Sequence, residues 1–245
     1  MKFYDRTFAA EYDRRLSAEG YPGDLVDHIA RALDGCGSVI DVGAGTGFFA
    51  IPLARRGLTV LAIEPSAHML DILRGKIDGT IAAKIRPHHS TWEEWKGEKS
   101  DALICHHSLY PMTDPRAAIE KMTRFADRRI VLVRNEEGSR NLTGLLREMT
   151  GRARDAGHFV AMLRETLAGL CLRYTEKIVE QRRTSAFYDL DEEARYYCGH
   201  LGLKDDRLEQ VRTIIEKNTV RREGRYEFEG LYRDVMVVFL MPRFG

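Results

Sequence analysis

Apolar positions follow two rhythms along this chain. Short runs rich in Val, Ile and Leu stand at 39–42, 58–63, 102–105 and 130–133, with a weaker one near 83–88, each closed by polar or turn-forming residues. Runs of that length, apolar on both faces, predict buried parallel strands. Between them apolar residues recur at helical spacing over 46–56, over 66–74, and from Pro115 through Ala118, Ile119, Met122 and Phe125. Strand alternating with helix is the order of an open α/β sheet with helices on both faces. Two short helical patterns, 8–13 and 25–33, precede the first strand and are split by Tyr21-Pro22-Gly23-Asp24. After the fifth strand the rhythm changes. Residues 141–172 are helical in pattern, with a break near Gly151 or Gly157. Alternation at 174–182 then predicts a strand, 189–194 and 205–217 predict helices, 221–229 a turn and short strand, and 234–241 a last apolar strand.

The first strand runs into Gly43-Ala44-Gly45-Thr46-Gly47, with glycine at every second position. One glycine allows a sharp turn at positive φ, another removes a Cβ that would hold a ligand off the main chain, and the third allows close helix packing. Strand, glycine turn and helix together hold a nucleotide-like group at the carboxyl edge of an α/β sheet. The spacing is Gly-x-Gly-x-Gly, not the Gly-x-Gly-x-x-Gly of dinucleotide binders. Asp41, just before the turn, would repel a pyrophosphate and favour an ammonium. Glu64 closes the second strand, where a carboxylate can accept from two ribose hydroxyls. These features point to S-adenosylmethionine (SAM) in place of a nicotinamide dinucleotide. Helix first-turn N–H groups near Gly45–Gly47 would be free to face the ligand.

The stretch VIDVGAGTGFFAIPLARRGLTVLAIEPSAHMLDIL closely resembles the first two motifs of class I SAM-dependent methyltransferases. The resemblance implies a Rossmann-like, seven-stranded, mostly parallel sheet with helices on both faces. Its last strand would insert antiparallel between strands five and six, and a helical insertion would follow strand five. It implies that Asp41, Gly43, Gly45 and Gly47 cradle the methionine and ribose portion of SAM and that Glu64, followed by Pro65, holds the ribose. AAEYD resembles the family's AxxYD, which implies a lid contact from Tyr12 to the methionine carboxylate; the alternative is a tyrosine packed on the sheet edge. Thr91 and Trp92 stand where family members contact adenine. The usual acid is replaced by Ser90 or Thr91, and Trp92 either walls the ring or packs under the loop.

The fourth strand ends in Cys105-His106-His107-Ser108-Leu109-Tyr110, which resembles the family's fourth motif. By position His106 lies beside the cofactor, while His107 and Tyr110 face the methyl-transfer region. A histidine there can act as general base, serve as a metal ligand with its neighbour and His88, His89 or Cys105, or pack beside SAM. His107 is the candidate catalytic residue, Tyr110 the candidate substrate contact, and no metal is assigned. An Asn-Pro-Pro-Tyr-type tetrapeptide is absent here, which argues against amide or nucleobase amines as acceptors.

Composition narrows the field. The chain has 245 residues, 44% hydrophobic and 31% charged, ordinary for one globular enzyme domain. Lys+Arg 38 against Asp+Glu 37 leaves a net charge of +1, which gives no electrostatic reason for a nucleic-acid partner. No apolar run approaches a membrane span, the first residues lack a signal-peptide core, and four scattered cysteines fit a reducing, cytoplasmic setting. The expectation is a single domain over 1–245. Residues 1–33 would form N-terminal helices acting as a lid, and 135–172 a helical cover over the acceptor site. Arginines 140, 147, 152 and 154 are candidates for holding an acidic acceptor, or solvated surface. The expected activity is methyl transfer to O, N, S or C of a small molecule, with S-adenosylhomocysteine (SAH) released, by a monomer or homodimer. A non-catalytic SAM- or SAH-binding regulator and an NAD(P)-dependent oxidoreductase are the rivals.

Overall fold

The computed structural model describes residues 5–135, 138–151 and 156–240. Helices α1 (Arg6–Ala18) and α2 (Leu25–Ala32) lead into β1 (Ser38–Val42), α3 (Ala50–Arg55), β2 (Thr59–Glu64), α4 (Ala67–Lys76) and β3 (Ile85–His89). β4 (Ser100–His106), α5 (Pro115–Phe125) and β5 (Ala126–Asn135) complete the alternating part. Then come α6 (Leu142–Met149), α7 (Ala156–Gly169), β6 (Tyr174–Phe187), α8 (Leu190–Leu201), α9 (Leu208–Asn218), β7 (Val220–Arg222) and β8 (Arg225–Leu240).

The expected alternation of strand and helix holds, and its local causes are visible. Ser66 caps α4 by accepting from the Met69 N–H, and Asp114 caps α5 by accepting from Ala117 with Pro115 behind it. The strands lie in the order β3-β2-β1-β4-β5-β8-β6, with β7 paired to β8. The first five run parallel; β8 joins β5 antiparallel, and β6 joins β8 antiparallel. The last strand thus sits between strands five and six as expected, but the count is eight, not seven. The extra strand arises because β8 is 16 residues long and outruns β5, leaving an overhang that pairs with β6 and with the short β7.

Alternation along the strands divides two cores. Val39, Val60, Ala62, Ala102 and Ile104 face α2, α3 and α4 through Ile29, Leu53, Leu70 and Leu73. Ile40, Val42, Leu61, Leu103 and Cys105 face α5 and α7 through Ile119, Met122, Leu163 and Leu167. A third cluster joins Leu142 and Leu146 of α6 to α8, α9 and the strand overhang through Tyr197, Ile215 and Phe228. This corrects the expectation of a cover made by 135–172. α7 is a crossover helix packed on the sheet, because its apolar residues match the second core. Only α6 joins a separate helical module, whose other members follow β6. The helix after the glycine turn also starts later than position 46: residues 43, 45 and 47 all take positive φ, so helical geometry begins at Ala50.

Candidate functional site

β1, β2 and β4 end side by side, and their last residues form the site. Asp41 is 2% exposed. Its Oδ2 has no hydrogen-bond partner, while the carboxylate accepts from the Ala50 N–H. Burial, and then the nearby charge of Glu64, pushes its carboxyl up to about 7. Glu64 is buried beside it and accepts from the N–H of Gly45 (2.9 Å) through one oxygen and of Ser66 (2.9 Å) through the other. Burial raises its carboxyl too, against those two hydrogen bonds. The turn's N–H groups are therefore not free, contrary to the expectation from the sequence: Gly43 and Ala44 donate to the Ile63 carbonyl (2.8 and 3.1 Å), Gly45 to Glu64 and Gly47 to the Ala44 carbonyl (3.0 Å). What the turn offers a ligand is space. A Cβ at Gly45 would meet nothing within 4 Å, whereas one at Gly43 would meet Ser108 Cβ at 2.4 Å and one at Gly47 would meet Leu73 Cδ1 at 2.3 Å. Gly47 thus permits close approach of α4 and also of α3, the helix that follows it, whose Ile51 Cδ1 would stand 3.2 Å from that Cβ.

α1 roofs this end. Asp13 accepts from the Thr46 hydroxyl at 2.5 Å and from the Lys76 ammonium, fastening the helix to the turn and to α4. Tyr12 is half-buried. Its ring meets Phe8 and Phe48 (6.1 and 6.4 Å), and burial first, then the charges of Tyr110 and Glu64, raise its phenol well above the usual range. Those neighbours place it above the strand ends, not on the sheet edge. Pro65 accepts at its carbonyl from His89 Nε2 (2.8 Å), and Thr91 exchanges hydrogen bonds with Glu94 (3.0 and 3.2 Å). Trp92 corrects the expectation of an adenine wall. It is 2% exposed, its indole N–H donates to the Ala118 carbonyl (3.2 Å), and its ring meets Phe125 (5.5 Å) inside the second core.

At the other end stand the histidines. By strand alternation His106 points to the same face as Asp41, and Tyr21 Oη lies 2.8 Å from its Nδ1. Its ring packs on Phe49 (4.5 Å), its Nε2 has no partner, and burial holds it well below the usual histidine range, with His107 and Arg183 adding to the effect. His107 would point to the opposite face if the strand continued. Instead it takes φ +54°, which swings its ring back beside His106, at 4.0 Å between ring centroids. Its Nε2 comes within 3.3 Å of Asp234 Oδ1. Tyr110 borders the pair, 6.2 Å from the His107 ring and 6.1 Å from Phe159.

Asp234 is the residue that sequence reasoning missed. On β8 it pairs in register with Asn135, so it crosses the carboxyl edge of β5, and alternation with Val235 and Met236 turns it toward His106. The signal was a lone acid opening an apolar final strand, legible only once that strand is placed beside β5. Oxygen or nitrogen atoms of His106, His107 and Asp234 lie within 4.8 Å of one another and could hold a metal. His88 packs on Trp95 and His89 binds Pro65, so neither belongs to that group, nor does Cys105, buried with its Sγ 3.8 Å from Ser108 Oγ. Arg140 bonds Leu231 through its backbone, and residues 152 and 154 lie outside the described residues.

Residues 39–128, which span this site's strands, match the family model described as a methyltransferase domain. A 62-residue stretch is 40% identical to an uncharacterized methyltransferase of Mycobacterium tuberculosis, covering 25% of this chain and 25% of that one. The chain thus spans about a quarter of the length of the curated relatives it matches first. Among solved structures, the YcgJ protein of Bacillus subtilis superposes with a TM-score of 0.59 at 14% identity, over 89% of this chain and 98% of that one. The magnesium protoporphyrin IX methyltransferase of Synechocystis, solved with bound SAM, gives 0.52 at 16% identity, over 98% and 84%. At such identities these two likenesses show the fold. Over residues 39–128 the chain is thus similar to a methyltransferase domain, of the class I SAM-dependent kind that the sequence motifs resemble. SAM is the cofactor of that class. The residues present fit it: an unsatisfied buried carboxylate oxygen at Asp41 suits an ammonium, Glu64 keeps a free lone pair on each oxygen, and Gly45 leaves room for a ligand.

Proposed function

We propose that this chain transfers a methyl group from SAM to a nucleophilic O, N, S or C atom of a small molecule. The observation that carries the reading is the pair of buried, mutually repelling carboxylates at the glycine turn, Asp41 and Glu64, one with an oxygen that nothing satisfies. A buried charge without a partner is costly, and a cationic ligand relieves it. When bound, SAM supplies a methyl on a sulfonium, which needs no further activation.

The chain's own work is then binding, alignment and exclusion of water. Asp41 pairs with the amino group, Glu64 and Pro65 border the ribose, Gly43, Gly45 and Gly47 shape the cradle, Thr91 approaches the adenine, and Tyr12 closes over the amino-acid end. His106, wedged between Phe49 and Tyr21, walls the methyl region. His107 and Tyr110 meet the acceptor. The small-molecule assignment is supported by the net charge of +1 and by the α1 roof tied over the glycine turn.

Incubating the chain with methyl-labelled SAM and a metabolite extract tests this reading. Label should move into the low-molecular-weight fraction with SAH released. Label in nucleic acid or protein would overturn the acceptor class, and tight SAH binding with no transfer to any fraction would make the chain a binder.

A further inference from the structure

The acceptor end holds buried polar atoms for which the fold provides no hydrogen bond. His106 Nε2 and Asp234 Oδ1 are both buried and unpartnered, as are Nε and Nη1 of Arg183, and ligand atoms of His106, His107 and Asp234 lie within 4.8 Å of one another. We propose that His106, His107 and Asp234 bind one divalent first-row transition metal ion, of the zinc, iron or cobalt type.

Three observations converge on it. First, the three residues come from two elements and from a backbone turn in the left-handed region, which a non-glycine residue seldom adopts. That turn is what brings adjacent histidines, which alternation would separate, to one side of the strand end. Second, His107 Nε2 and Asp234 Oδ1 stand 3.3 Å apart without forming a hydrogen bond. A histidine base oriented by a carboxylate needs an in-line hydrogen bond there. Two lone pairs aimed at a common centre instead stand about 3.3–3.4 Å apart, since tetrahedral bonds of about 2.0–2.1 Å set that spacing. The wider separations, up to 4.8 Å, close by at most about 1.5 Å of ring movement, and His107 is the part-exposed member. Third, the far nitrogen of His106 is already held. Tyr21 Oη lies 2.8 Å from its Nδ1; in the tautomer where it accepts the Nδ1–H, the Nε2 lone pair is left for coordination, as with the outer partner of a metal-bound histidine.

Two imidazoles and one carboxylate suit zinc, iron or cobalt, not magnesium or calcium, which prefer all-oxygen sites. Arg183, whose charge reaches His106, faces Glu19 at 4.0 Å. Three protein ligands leave a position open for water or for an acceptor atom. His107 is thereby assigned to coordination and not to proton abstraction, which decides among the roles its sequence position leaves open. The inference does not require SAM binding, so each can fail without the other.

Untagged chain, stripped with chelator, is titrated with Co2+ while visible absorption is recorded, and Zn2+ is then added in competition. One equivalent of Co2+ should give the intense bands of a four- or five-coordinate ion, and Zn2+ should displace them. Tyr21→Phe should weaken Zn2+ binding about 10–100-fold. His107→Gln and Asp234→Asn should weaken it by roughly 100-fold or more, with SAH affinity unchanged as the control for folding. Should the buried Asp234 variant fail to fold, the part-exposed His107 variant still decides. A spectrum that stays that of hydrated Co2+, or equal uptake by wild type and His107→Gln, would overturn the site.

Discussion

Asp41 carries the strongest consequence at the scale of single residues. Its folded carboxyl sits near 7, above the ordinary value of 3.8, so the ligand-free fold holds a proton that the unfolded chain releases. The stability this contributes is full below about pH 4 and is lost as pH rises through 7, at most about 4 kcal/mol. The Tm of ligand-free wild type should therefore fall between pH 4 and 7 relative to Asp41→Asn, in which that slope is absent; parallel profiles would contradict the assignment. The glycines separate in the same way. Gly47→Ala forces a Cβ onto Leu73 at φ +89° and should cost about 1–3 kcal/mol or more by thermal melting. Gly45→Ala meets only open space and the strain of φ +55°, about 1–2 kcal/mol, and should lose SAH affinity more than stability. The glycine spacing, Asp41 and Glu64 were all legible in the sequence, because a turn between strand and helix restricts both residue type and position. That Glu64 would bind the turn's own N–H was not, since it depends on the height of one strand end against its neighbour.

Among the elements, α1 is the proposed lid: Asp13 ties it to Thr46 and Lys76, and on that proposal a ligand reaches the turn when the helix lifts. Asp13→Asn should speed both SAH association and dissociation in stopped-flow measurements, by roughly 10-fold for a lost charged hydrogen bond. Unchanged rates would mean that α1 is not the gate. The helical periodicity of this segment was readable, but its docking partner was not: Asp13 meets residues 33 and 63 positions away. The late start of α3 and the crossover role of α7 share one cause. Periodicity reports that a face is apolar; which core claims that face is settled by the sheet.

For the whole molecule, five parallel strands set the cofactor site and the antiparallel section completes it from outside. β8 delivers Asp234 to the end of β4, and the same overhang carries the module of α6, α8 and α9. Among the described residues no helix is long and apolar enough to cross a membrane. The parallel part was legible because buried strands announce themselves as continuous apolar runs. The added strand pairing was not, because β6 reads as one alternating run whether it flanks β8 for eight residues or fourteen. The central claim, that Asp41 and Glu64 grip the cofactor, is tested most directly by calorimetric titration of SAH into wild type and Asp41→Asn at pH 8. The account predicts one site in wild type and an affinity lower by about 10–150-fold in the variant, the loss of a charge-assisted contact worth roughly 1.5–3 kcal/mol. Equal affinity, or no binding by wild type, would contradict it.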